Sequence, residues 1–149
     1  MEYHHIQYNL ELDKEKGVEH LRMSLEFAKK GLNMLPENNG IIHAYYLAIA
    51  VAGENEVKIE DKDIELALAL INQIIHKDPE YALYYCTRGR LFANLGNYES
   101  ALLNIKRART LESPKHSDWM LRVSDYHRIE AMIRDRSIVK NKFMYLESQ

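Results

Sequence analysis

Three prolines punctuate this chain, and each follows a run with helical spacing: Pro36, Pro79 and Pro114. Proline lacks an amide hydrogen and clashes with the carbonyl four residues back, so it stops a helix. Between these stops lie long periodic segments with no alternating strand pattern. Glycines are few, and Gly53 and Gly96 fall where turns are expected. A chain punctuated in this way is expected to be all-α.

The clearest unit runs from Ala82 to about Ser113. Its first helix reads ALYYCTRGRLFANL, with Tyr85, Gly89 and Phe92 on one face. Gly96-Asn97 breaks it. The second helix reads YESALLNIKRARTL, with Ala101, Ile105 and Ala108 again on one face. Two antiparallel helices need small residues where their backbones approach, here Gly89, Ala101 and Ala108. They need large ones beside them, here Tyr85, Phe92, Tyr98 and Ile105.

This pattern resembles the tetratricopeptide repeat: aromatic, small and aromatic on one helix, a Gly-x-Tyr turn, then Ala, bulky and Ala on the next, then proline. Two positions depart from it. Arg88 stands where the family usually carries an aliphatic residue, and Ser113 takes the proline position, with Pro114 one residue late. The resemblance implies antiparallel helix pairs stacked as a short right-handed α-solenoid. The second-helix spacing recurs as Ala67, Ile71 and Ile74 before Pro79, and as Ser24, Ala28 and Gly31 before Pro36. A single domain over residues 1–149 follows: a degenerate first repeat over 1–36, a second over 40–79, a third over 80–113, and a capping helix within 115–149. The opening segment Glu2 to Asp13 matches poorly and is expected to form a degenerate first helix. The apolar segment 41–52 is expected to be the most buried helix, with Tyr45 or Tyr46 as its leading aromatic. Residues 53–63, rich in Glu and Asp, read as a solvent-exposed insertion.

A shift of 34 residues maps Tyr85 to Trp119, Arg88 to Arg122 and Phe92 to Tyr126. Val123 replaces Gly89, and neither glycine nor proline follows to the end. One long helix from about Asp118 to about Leu146 is expected, its first half capping the stack. Ile129, Met132, Val139, Phe143 and Leu146 follow a 3-4-3-4 spacing if Arg136 fills the missing place. That is a coiled-coil-like seam with one charged interruption. It reads as a homodimer or partner-binding surface, as a connector to a further domain, or as a helix lying back on the domain.

Residues 1–81 hold 8 Lys/Arg against 15 Asp/Glu, and residues 82–149 hold 12 against 7. This polarity fits end-to-end contacts, an acidic partner on the C-terminal half, or plain solvated faces. A sequence pI near 6.4 argues against nucleic acid, despite the basic Lys106, Arg107 and Arg109. No apolar run approaches a bilayer span, and the N-terminus carries no basic-then-apolar signal, so a cytoplasmic protein is expected. The single cysteine, Cys86, fits a reducing compartment.

Nothing in the pattern points to an enzyme. The seven histidines show no paired ligand spacing, so no metal and no cofactor are expected. Cys86 has no histidine within a helical turn to act as its base, and no glycine loop cradles phosphate.

By resemblance, first helices line the concave groove of such a stack. The groove positions here are Leu83, Cys86, Thr87, Arg90 and Asn94, then Ser117, Met120, Leu121, Ser124 and Arg128. The Lys/Asn/Arg clamp that some family members use for a carboxylate terminus is missing. The groove, with Arg90 and Arg128, suits an extended or helical segment of some acidic character. The expected function is therefore a protein-interaction module, an adaptor or the sensor part of a larger signalling protein. A self-assembling unit acting through the C-terminal helix is the alternative, and a secretion-type chaperone a weaker one.

Overall fold

The computed structural model describes residues 11–55, 57–115 and 119–147, with side chains at 15–55, 57–115, 119–120 and 122–136. Among the described residues the chain is all-helical: α1 (Glu11–Met34), α2 (Asn39–Glu54), α3 (Asp61–Lys77), α4 (Ala82–Asn94), α5 (Tyr98–Leu111) and α6 (Trp119–Glu147). The first helix expected over Glu2 to Asp13 falls mostly outside the described residues. Each proline lies just beyond a helix, after α1, α3 and α5.

Two compact units divide the chain within α3, residues 1–71 and 72–149. In the first, α1 packs against α2. Asn38 starts α2, its Oδ1 accepting a hydrogen bond from the Ile41 amide at 3.1 Å. A Cβ on Gly31 would stand 3.3 Å from Ile41 Cγ2, so the absence of a side chain on α1 lets α2 approach. Both Tyr45 and Tyr46 are enclosed, so burial does not single out one of them as the leading aromatic, and Ile42, Ile49, Ala50 and Ala52 complete the buried set of α2. Burying apolar surface contributes roughly 25 cal/mol per Å², so this helix anchors its unit.

In the segment 53–63, Asn55, Lys58, Glu60, Asp61 and Lys62 are exposed as expected, and two residues depart from that expectation. Val57 is only 8% exposed and Asp63 only 7%. The Val57 amide donates a hydrogen bond to the Ala52 carbonyl at 3.0 Å. Asp63 lies in the first turn of α3, where the helix dipole favours a negative charge. There its Oδ1 accepts the Tyr45 hydroxyl at 3.0 Å, and its Oδ2 lies 3.1 Å from Lys29 Nζ. An acidic composition predicts exposure on average, but a carboxylate with two such partners can be enclosed.

In the second unit α4 and α5 form a tightly packed pair. Gly96 turns the chain at φ +76°, in the left-handed region that glycine enters freely. Asn97 then caps α5 by accepting from the Ser100 amide at 3.2 Å. A Cβ on Gly89 would meet Ile105 Cδ1 at 3.0 Å and the Ala101 carbonyl oxygen at 3.2 Å. The small residues Ala101 and Ala108 are fully buried on the same side of α5. α6 packs on both α4 and α5, burying Arg122, Tyr126, Ile129 and Ile133. No helix among the described residues is long and apolar enough to cross a membrane.

Candidate functional site

Helix α4 has two working sides. At about 100° per residue, Arg88 and Arg90 point about 200° apart. The Arg88 side meets α5 through Asn104, and the Arg90 side turns away from it.

On the first side, Leu83, Arg90 and Asn94 recur at spacings of seven and four, and all three are half-buried. Met120, Ser124 and Arg128 recur at spacings of four along α6 and are exposed, Met120 to 63%. Arg128 Nη2 pairs with Asp125 Oδ1 at 3.3 Å. The thiol of Cys86 feels the charges of Arg90 on α4 and of Asp125, Arg122 and Arg128 on α6.

Two residues expected in the groove do not reach its surface. Cys86 is 2% exposed and Thr87 1%, with Thr87 Oγ1 donating to the Leu83 carbonyl at 3.1 Å. Packing against the neighbouring helices takes both out of a partner's reach. Burial pushes the Cys86 thiol up to about 12, and Asp125 adds to the shift while the three arginines oppose it. A thiol so placed is not a nucleophile near neutrality. Ser117 and the side chain of Leu121 lie outside the described residues.

The seam is corrected in a similar way. Ile129, its first member, is wholly enclosed within the second unit and so cannot face another chain. Met132 and Arg136 are half-buried; the side chains of Val139, Phe143 and Leu146 lie outside the description.

The seating of α6 depends on an ion pair that sequence reasoning missed. Arg122 donates to Glu112 from Nη2 to Oε1 at 2.6 Å and from Nε to Oε2 at 2.9 Å. The Tyr126 hydroxyl donates to Oε2 at 2.5 Å. Burial pushes the Glu112 carboxyl up, but the bonds from Arg122 and Tyr126 and the Arg122 charge outweigh it and hold it below its ordinary value. Burial, followed by the bond to Glu112, pushes the Tyr126 phenol up. Arg109, one of the basic residues of α5, pairs with Glu130 at 2.9 Å, its guanidinium 5.3 Å from the Tyr126 ring centre.

On the other side, α4 and α5 border an open groove of about 410 Å³, with Asn72 near the end of α3 beside it. Arg88 crosses it. Its Nε donates to Asn104 Oδ1 at 2.6 Å and its Nη1 to Asn72 Oδ1 at 3.0 Å. Its guanidinium carbon lies 5.4 Å from the Tyr85 ring centre, and that of Arg107 lies 5.8 Å from the same ring. Tyr85 is fixed by its hydroxyl, which donates to the Pro79 carbonyl at 2.8 Å. The departure of Arg88 from an aliphatic residue was the one sequence signal of this groove.

Among the described residues no three His, Cys, Asp or Glu side chains gather in an arrangement that could hold a metal. No family model, curated protein or solved structure matches the chain.

Proposed function

We propose that this chain is a protein-interaction module built from tetratricopeptide-like helix pairs, and that it holds a peptide or helical segment on the α4–α6 face without performing chemistry on it. The observation that carries this reading is the exposure of Met120 in line with Ser124 and Arg128 on α6, which packs against the α4 helix that carries Arg90. A large apolar side chain left in water on such a face is an anchor of the kind that a partner segment covers. Arg90 and Arg128 favour a segment with acidic character. The sealed, unreactive Cys86 supports a non-catalytic reading.

The test is site-specific photocrosslinking in the source cell, with a benzophenone residue at Met120 and a control at exposed Glu99. A partner trapped from Met120 but not from Glu99, and lost on Arg128→Glu, is the expected result. Equal trapping from both positions overturns the reading.

Self-assembly is favoured by a separate observation. Met23, Phe27 and Met34 are exposed along one face of α1, with Lys30 over the Phe27 ring at 5.8 Å. Sedimentation across salt concentrations separates the two. A monomer at micromolar concentration removes self-assembly.

A further inference from the structure

The groove on the Arg88 side of α4 is not used by the function proposed above. Its charge is unbalanced. Arg88 and Arg107 border it, and no Asp or Glu does. Both guanidinium groups lie within 6 Å of the Tyr85 ring centre. Such stacking is favourable for each arginine alone, but it holds two like charges no more than about 11 Å apart, the sum of their two distances to the ring centre.

The hydrogen bonds do not relieve this. Arg88 is bonded to two neutral amide oxygens, those of Asn104 and Asn72. Asn104 is in turn fixed, its Nδ2 donating to the Ser100 carbonyl at 2.8 Å. Arg88 Nη2 and the whole guanidinium of Arg107 have no acceptor among the described residues. Burial lowers the Arg88 pKa, as expected of a cation without a counter-charge.

The groove walls add a second requirement. Leu103 is 62% exposed and Phe92 half-exposed, both bordering the same space. A ligand that satisfies the site therefore carries an anion for the arginine pair and an apolar group beside it. A volume of about 410 Å³ is enough for two or three side chains, not for a folded surface.

We propose that this groove docks an acidic peptide segment of a partner protein, a carboxylate lying between Arg88 and Arg107 and an adjacent apolar side chain resting on Phe92 and Leu103. Arginine forks match carboxylates in two-point geometry, and Arg88 is already oriented by Asn104 and Asn72, so little freedom is lost on binding. The segment would occupy the side of α4 about 200° from Arg90, so both faces can be filled at once.

The test is an NMR titration of the isotope-labelled protein with a short, end-capped peptide of alternating Asp and Leu. The same peptide with Lys in place of Asp is one control, and inorganic phosphate another. The acidic peptide is expected to shift the Arg88 and Arg107 Nε–H signals and the amides of Ser100 to Asn104. Arg107→Glu, a change at an exposed side chain, is expected to weaken binding about tenfold or more with the fold intact by circular dichroism. The site is overturned if the Lys peptide binds equally well, if Arg107→Glu changes nothing, or if phosphate moves these signals and the peptide does not. Shifts confined to Met120, Ser124 and Arg128 also overturn it, while leaving the α4–α6 reading standing.

Discussion

Arg122 and Glu112 meet in a two-point ion pair whose side chains are only 3% and 8% exposed. The pair joins α6 to the residue just past α5. Removing one partner leaves the other's charge enclosed, which costs about 3–5 kcal/mol.

Glu112→Gln should therefore lower the denaturation midpoint in urea sharply, and Arg122→Leu with Glu112→Leu together should recover part of the loss. A pH series adds a second reading. The folded carboxyl lies below its ordinary 4.5. Its contribution is thus complete above that pH and disappears as pH falls through the folded value. Stability measured from pH 6 downward should fall in the wild type and fall less in Glu112→Gln.

Gly89→Ala tests the contact between α4 and α5. Alanine gains about 1 kcal/mol over glycine in a helix interior. Here the new Cβ would press on Ile105 at 3.0 Å and on the Ala101 carbonyl oxygen at 3.2 Å. Ile105 can turn, but a backbone oxygen in a packed helix yields little. The net effect should be a loss of about 1–2 kcal/mol, read as a lower urea midpoint with an unchanged slope.

Cys86 should resist labelling by a thiol reagent at pH 8 in the native protein and react promptly in urea. Its folded thiol ionises at about 12 against an ordinary 9.0. Between those values the folded state keeps a proton that the unfolded state loses. The contribution is whole below pH 9 and should decline above it by about 1.4 kcal/mol per pH unit. Subtracting the pH profile of Cys86→Ala isolates this slope from the tyrosines.

In the first unit, Tyr45→Phe deletes the hydroxyl that donates to Asp63 at 3.0 Å. The enclosed carboxylate then keeps Lys29 but loses a partner, at a cost of about 1–2 kcal/mol. Lys29→Met should cost less, since the lysine is one-third exposed and its charge is screened. Thermal melts of the two variants rank them. The reverse order would show that Lys29 carries the site.

The parts legible from sequence are those that obey a local period. Proline stops, the small residues at Gly89, Ala101 and Ala108, and the length of α6 all express spacings of one to four residues. The polar contacts were hidden because their partners lie far apart in the chain. Tyr45 and Asp63 are 18 residues apart, and Arg88 and Asn104 are 16. Glu112 and Arg122 are 10 apart and belong to different elements. No periodicity links such pairs. Cys86 and Thr87 were expected in the groove by resemblance, and a family pattern names the face of a helix but not how deeply the neighbouring helix covers it.

The Arg122–Glu112 pair also sets how α6 can move. An apolar helix face can slide by a turn and still find oily neighbours. A guanidinium fork cannot, because a shift of one residue swings Arg122 by about 100° away from its carboxylate. Both charges would then sit in the packed interior without each other, so partly slipped positions are excluded by several kcal/mol. The pair therefore pins α6 to a single register on its neighbours, a constraint that apolar packing alone would leave open.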